Sequence, residues 1–183
     1  MNIIRHSSDI WTIPNFISER ACEELIFYSE MKGYQPAEVS LSTGAKMMKN
    51  IRNNQRLLYE DFALAAEYWA RLSPFCPALI ADWQAVGLNE QFRFYKYESS
   101  ERFKRHIDGR FRRNEQEESR ITFMIYLNDD FEGGHTDFDH HSIKPSTGDA
   151  LCFIHEQKHE GCPVLSGTKY VLRSDVMYRK III

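Results

Sequence analysis

The chain has 183 residues, 43% of them hydrophobic, and a formal net charge of -3. It can bury one substantial core, and its acidic balance argues against a surface built throughout to grip nucleic acid. Its four cysteines, at 22, 76, 152 and 162, form no C-x-x-C pair, so neither a zinc knuckle nor a redox motif is indicated. "MNIIRHSSDIW" lacks the apolar run of a leader, and no segment is long and apolar enough to cross a membrane, so a cytoplasmic protein is the expectation.

In chain order, the first half reads as helical. "SERACEELIFYSEMK" offers Ser18 as an N-cap and a stripe of Cys22, Leu25, Ile26 and Ser29 at three- and four-residue steps. "YEDFALAAEYWARLSPF" offers Asp61 near a helix start, ends before Pro74, and sets out Leu58, Phe62, Ala65, Ala66, Trp69 and Leu72 as a buried face. Between them, "MMKNIRNNQRLLY" has no clear period and reads as an extended piece or a loop.

From Gln91 the pattern changes to strands. "QFRFYKY" alternates, and "RITFMIYLN", "DALCFI", "KYVLRSD" and "VMYRK" follow, separated by turn-forming stretches such as "DDFEGG" and "KPSTGD". No helices alternate with these strands, which excludes a doubly wound sheet. The expected class is α+β, a double-stranded β-helix (jelly roll) buttressed by N-terminal helices. Residues 1–183 are expected to form a single domain, with 1–90 mainly helical support and 91–183 the catalytic core.

Chemistry concentrates in "FKRHIDGRFRR". Residues 101–113 hold six Lys/Arg against Glu101 and Asp108, and "NEQEES" follows with three glutamates. The run reads as a self-compensating solvated loop, a positive rim beside a site, or a phosphate contact. His106 and Asp108 project to the same side of an extended chain, which brings an imidazole and a carboxylate to one ion. A second histidine from another strand would complete the two-histidine, one-carboxylate face of a non-haem iron(II) centre. His159 is the candidate and His155 its rival. Lys169, ten residues after His159, suits the far carboxylate of a dicarboxylate that chelates the metal at its other end.

The succession "YKYESSERFKRHIDG", "ITFMIYLNDDFEGGHTDF" and "PSTGDALCFIHEQKHEGCPVLSGTKYVLRSDVMY" resembles the prolyl-4-hydroxylase-like branch of the iron(II)- and 2-oxoglutarate-dependent oxygenases, from about Phe92 to Tyr178. The resemblance implies Fe(II) held by His106, Asp108 and His159, with 2-oxoglutarate anchored by Lys169 and contacted by Tyr97 and Tyr126. Dioxygen is implied as the other cosubstrate and ascorbate as a reductant. The implied reaction hydroxylates a prolyl residue of a peptide or protein, with release of succinate and carbon dioxide. A free amino acid or small metabolite, a nucleic-acid demethylase and a metal-binding cupin-like protein stand as alternatives.

Two departures from the pattern add residues. His135-Thr136 stands where many relatives have Glu-Thr, and His135 could face substrate or pack on the sheet. "DFDHHS" gathers Asp137, Asp139, His140 and His141, as a second metal site or a polar rim. Arg52, Arg56, Arg110, Arg112 and Arg113 are candidates for a rim that meets an acidic substrate.

Overall fold

The computed structural model describes residues 2–37, 39–41, 44–46 and 52–182. Its main sheet has 11 strands. The central run is Ile10–Ile13, Ala150–Ile154, Glu117–Tyr126, Lys169–Lys180, Gln91–Tyr97 and Gln55–Glu60, each antiparallel to its neighbour. Trp83–Leu88 pairs with the far end of Lys169–Lys180. A second sheet of four strands runs Phe103–His106, His159–Gly161, Thr136–Phe138, Ser142–Ile143. The two sheets face each other through Phe138, Phe153 and His159, with Phe138 and Phe153 ring centroids 5.1 Å apart. This is the expected double-stranded β-helix.

Alternation explains why the central strands can be buried on both faces. On Gln91–Tyr97, Phe92 and Phe94 join Phe16, Tyr68, Phe123 and Leu172 under the helices, while Tyr95 and Tyr97 join Tyr126, Phe153 and Val171 between the sheets. The apolar residues of the two clusters are therefore drawn from opposite faces of the same strands.

Helix Glu19–Lys32 starts at the expected cap, with Ser18 Oγ accepting from the Ala21 N–H at 3.2 Å. Helix Phe62–Leu72 starts at Asp61, whose carboxylate accepts from the Leu64 N–H at 2.8 Å. Its buried face differs from the expected stripe: Ala65, Tyr68 and Leu72 are buried, Phe62 and Ala66 are exposed, and Leu58 belongs to a strand. The expected stripe ran across the Asp61 cap as though one helix continued through it.

The expectation that residues 1–90 are mainly helical is corrected. Ile10–Ile13, Gln55–Glu60 and Trp83–Leu88 are strands built into the main sheet. In the stretch expected to be extended or a loop, Gln55–Glu60 is a strand, and residues 47–51 lie outside the described residues.

Candidate active site

The second sheet brings the two candidate histidines together. His106 ends one strand, His159 begins the next, and they are direct cross-strand partners with ring centroids 4.3 Å apart. Asp108 follows two residues later. Its Oδ1 lies 3.5 Å from His106 Nε2 and its Oδ2 3.7 Å from His159 Nε2. One ligand atom from each residue falls within a 4.8 Å cluster.

The donor set fits a divalent metal ion. His106 Nδ1 bonds the Lys104 carbonyl at 2.7 Å, and His159 Nδ1 bonds the Gln157 carbonyl at 2.9 Å. Each carbonyl holds the proton on Nδ1 and leaves Nε2 as a lone-pair donor facing Asp108. Burial pushes His159 down to about 4, so its imidazole is neutral at physiological pH.

Asp108 is 7% exposed. Burial opposes its ionisation, but the Arg173 guanidinium beside it outweighs burial and holds the carboxyl well below its usual range. Its Oδ2 accepts from Thr122 Oγ1 at 2.6 Å and from Arg173 Nη2 at 3.0 Å. Arg173 also reaches Asp175 at 3.2 Å, which in turn pairs with Arg93 at 2.8 Å. Sequence reasoning missed Thr122, Arg173 and Asp175. The signal for Arg173 and Asp175 was the step of two that puts Lys169, Val171, Arg173 and Asp175 on one face of a strand.

His155, the rival ligand, is buried behind this layer. Its Nδ1 meets Thr122 Oγ1 at 3.0 Å and its Nε2 meets Ser119 Oγ at 2.9 Å. Both ring nitrogens are occupied, and His155 is not in the metal-ligating cluster.

Lys169 is 3% exposed and hydrogen-bonds the Gly134 carbonyl at 2.5 Å. Its ammonium lies 5.5 Å from the centre of the Tyr97 ring and 5.3 Å from that of Tyr126. Among the described residues it has no carboxylate partner. Burial pulls the amine down to about 7. A buried cation with no counter-charge is a ready receptor for an anionic ligand, which fits the far carboxylate of 2-oxoglutarate. Gly134 is required beside it: its φ is +62°, and a Cβ there would stand 2.8 Å from Phe131 and 3.2 Å from Lys169 Cδ. Tyr97 lines the cavity shared by Lys169 and the triad. Tyr126 stands one layer back, with its hydroxyl 2.8 Å from Thr136 Oγ1, and Thr136 forms the cavity wall.

The expected substrate rim divides. Arg52, Arg56 and Arg110 line a cavity of about 600 Å³ in front of the triad. Arg112 does not: its side chain is 74% exposed and pairs with Glu118. Arg113 turns to Glu117 and Glu90. His135 is also corrected, since it lies towards Ser142 and lines neither triad cavity. The proposed grouping of Asp137 and Asp139 with His140 and His141 is not what the structure assembles. Asp137 instead meets Glu160 and Cys162, while Asp139 pairs with Arg105.

Residues 92–174 match the model of the 2OG-Fe(II) oxygenase superfamily. A protein of Acanthamoeba polyphaga mimivirus, provisionally assigned as a prolyl 4-hydroxylase, is 25% identical over 182 residues, covering 88% of this chain and 71% of its own. The viral collagen prolyl hydroxylase of Paramecium bursaria Chlorella virus-1 in its 2OG complex superposes with a TM-score of 0.68 at 21% identity, over 94% of this chain and 97% of the other. A prolyl hydroxylase from Trichoplax adhaerens, solved with a hypoxia inducible factor peptide, gives 0.71 at 16% identity, over 93% and 84%. The chemistry such a centre supplies is hydroxylation of a C–H bond coupled to oxidative decarboxylation of 2-oxoglutarate. With its matched core, its fold and a His-Asp-His cluster beside a buried lysine that has no carboxylate partner among the described residues, this chain resembles the iron(II)- and 2-oxoglutarate-dependent oxygenases.

Proposed function

We propose that the enzyme hydroxylates a prolyl residue in a peptide or protein, consuming dioxygen and 2-oxoglutarate and releasing succinate and carbon dioxide. The observation that carries this reading is the triad and Lys169 on the walls of one cavity, in a chain whose structural relatives include a prolyl hydroxylase solved with a peptide. His106, Asp108 and His159 hold the iron, Lys169 anchors the cosubstrate, and Tyr97 and Tyr126 shape its pocket. The buried walls exclude water and orient the C–H bond to be oxidised. We place the reaction in the cytoplasm, where reducing conditions suit four free cysteines, with ascorbate as a reductant.

The nucleic-acid and cupin-like alternatives are less well supported. Much of the basic run at 101–113 is neutralised by carboxylates, Arg110 and Arg112 by Glu118, and Arg113 by Glu117. A metal-binding cupin without 2-oxoglutarate has no use for the unpaired Lys169. The test is to incubate iron-loaded protein and 2-oxoglutarate with prolyl peptides, free proline and methylated oligonucleotides. Mass spectrometry for one added oxygen on proline, together with succinate release, reads the outcome. Oxidation confined to a non-prolyl compound rejects the prolyl assignment and leaves the oxygenase chemistry intact.

A further inference from the structure

The cavity in front of the triad is lined by more cations than carboxylates. Six arginines line it against two carboxylates, Asp108 and Asp175. Four of the six are committed: Arg93 and Arg173 to Asp175, Arg105 to Asp139 and Arg110 to Glu118. Arg52 and Arg56 have no carboxylate partner among the described residues.

Arg52 is the informative one. It is 5% exposed, and its guanidinium sits over the Tyr95 ring at 4.3 Å and the Phe103 ring at 4.4 Å. Nε donates to Asn54 Oδ1 at 2.6 Å, but the buried Nη2 has no partner among the described residues. Such a donor is costly to leave unpaired, and stacking between two rings fixes the plane in which it can serve. Arg56 stands opposite Tyr95 in the strand register, and Arg52 is bridged to Phe103, so both flank one part of the cavity. Tyr95 reports the same field: burial alone would raise its hydroxyl, but Arg52, Arg173 and Arg93 pull it down to about 8.

We infer that Arg52 and Arg56 bind a carboxylate of the substrate, so that the enzyme acts on a prolyl residue beside an acidic side chain or at a free C-terminus. This inference rests on the prolyl reading above and narrows its substrate class. A carboxylate matches the donor geometry of a guanidinium and supplies the acceptor that Arg52 lacks. A nucleic-acid backbone fits less well, because a run of phosphates needs a track of free cations, and the neighbouring arginines of this cavity are already paired.

The experiment separates binding from turnover. The full chain, loaded with Mn(II) and 2-oxoglutarate without oxygen, is titrated calorimetrically with prolyl peptides that differ only in Glu or Gln beside the proline. A parallel pair ends in proline as the free acid or as the amide. We expect the carboxylate form of one pair to bind about 10- to 150-fold more tightly, with added salt narrowing the gap. The Glu/Gln pair assigns the contact to a side chain, and the acid/amide pair assigns it to a C-terminus. Arg56→Gln, at a half-buried position, should erase the preference, as should Arg52→Lys if that variant folds. Equal affinity within both pairs overturns the inference. So does a single-stranded oligonucleotide that binds more tightly than either peptide and depends on Arg56. Repeating the winning pair with alanine for proline distinguishes the two readings: a preference that survives while no proline is ever oxidised leaves the carboxylate site standing and removes the prolyl assignment.

Discussion

The second sheet carries a three-residue cluster of potential ligands on each face, and the two differ in ligand type, burial and partners. His159 and Glu160 are consecutive, so their side chains leave the strand on opposite sides. Inward, His159 joins His106 and Asp108; outward, Glu160 joins Asp137 and Cys162. The inner histidines have their Nδ1 atoms fixed by carbonyls and their Nε2 atoms turned to a buried carboxylate that Arg173 keeps ionised. The outer groups are half exposed and bonded among themselves: Cys162 Sγ lies 3.1 Å from Asp137 Oδ2 and 3.8 Å from Glu160 Oε1. Burial, with Asp137 and Glu160 nearby, pushes the Cys162 thiol up to about 12, so on its own it stays protonated and bonded to those carboxylates. What distinguishes the faces is ligand type, burial and orientation: the inner one turns two imidazole nitrogens towards one buried carboxylate.

The sharpest way to break this comparison is to truncate one carboxylate on each face. Asp108→Ala should abolish turnover and weaken iron binding by more than the roughly 10- to 100-fold that follows loss of a supporting hydrogen bond. Asp137→Ala should retain both properties. Anaerobic iron titration with succinate release reads both variants, and iron lost from the Asp137 variant alone would reverse the assignment of the faces.

Lys169→Ala should fail differently, keeping iron while raising the 2-oxoglutarate concentration for half-maximal turnover about 10- to 150-fold. An unchanged requirement would remove Lys169 as the anchor.

The same residue makes cosubstrate binding depend on pH. Because the buried amine titrates near about 7, a carboxylate ligand that favours the ammonium must take up a proton above that value. Affinity should therefore be greatest below about 7 and fall as pH rises through it, whereas Lys169→Arg should flatten the profile. In the ligand-free protein the sign is the opposite for stability. The unfolded chain keeps the proton that folded Lys169 loses, so this residue's destabilising contribution shrinks as pH rises above about 7, which pH-dependent thermal melts of native and Lys169→Met protein can isolate.

Smaller effects are expected behind the inner cluster. His155→Ala should keep iron but strand Thr122 and Ser119, costing about 1–3 kcal/mol of stability in denaturant unfolding. Loss of iron from this variant, with retention by His159→Ala, would exchange the two histidines. The smallest change belongs to Arg112→Ala. Outside the cavity and largely exposed, it should leave substrate KM unaltered and shift stability by less than about 1 kcal/mol.

How much was legible differs sharply along the chain. His106 and Asp108 stood out because both ligands sit on one local segment, where a step of two fixes their common side. His159 took its place over His155 through the family resemblance, and only the register His106 opposite His159 shows why. Arg173 and Thr122 were invisible as neighbours of Asp108 because they come from two further strands. The first ninety residues misled because Gln55–Glu60, buried only in part, carries no clean alternation. Its pairing with Gln91–Tyr97 is long-range, and a window along the sequence does not see it.

By itself, then, the sequence determined the jelly-roll core, the helix caps, the His-x-Asp segment and the chemistry its ligands favour, because each is written in local side-chain period or in one contiguous motif. Only the tertiary structure decided which arginines are free and which are spent on carboxylates. It also buried Lys169 without a counter-charge among the described residues and turned His155 away from the metal-facing layer. Charge and protonation depend on burial and on partners across strands, and those distances exist only after the sheets have closed.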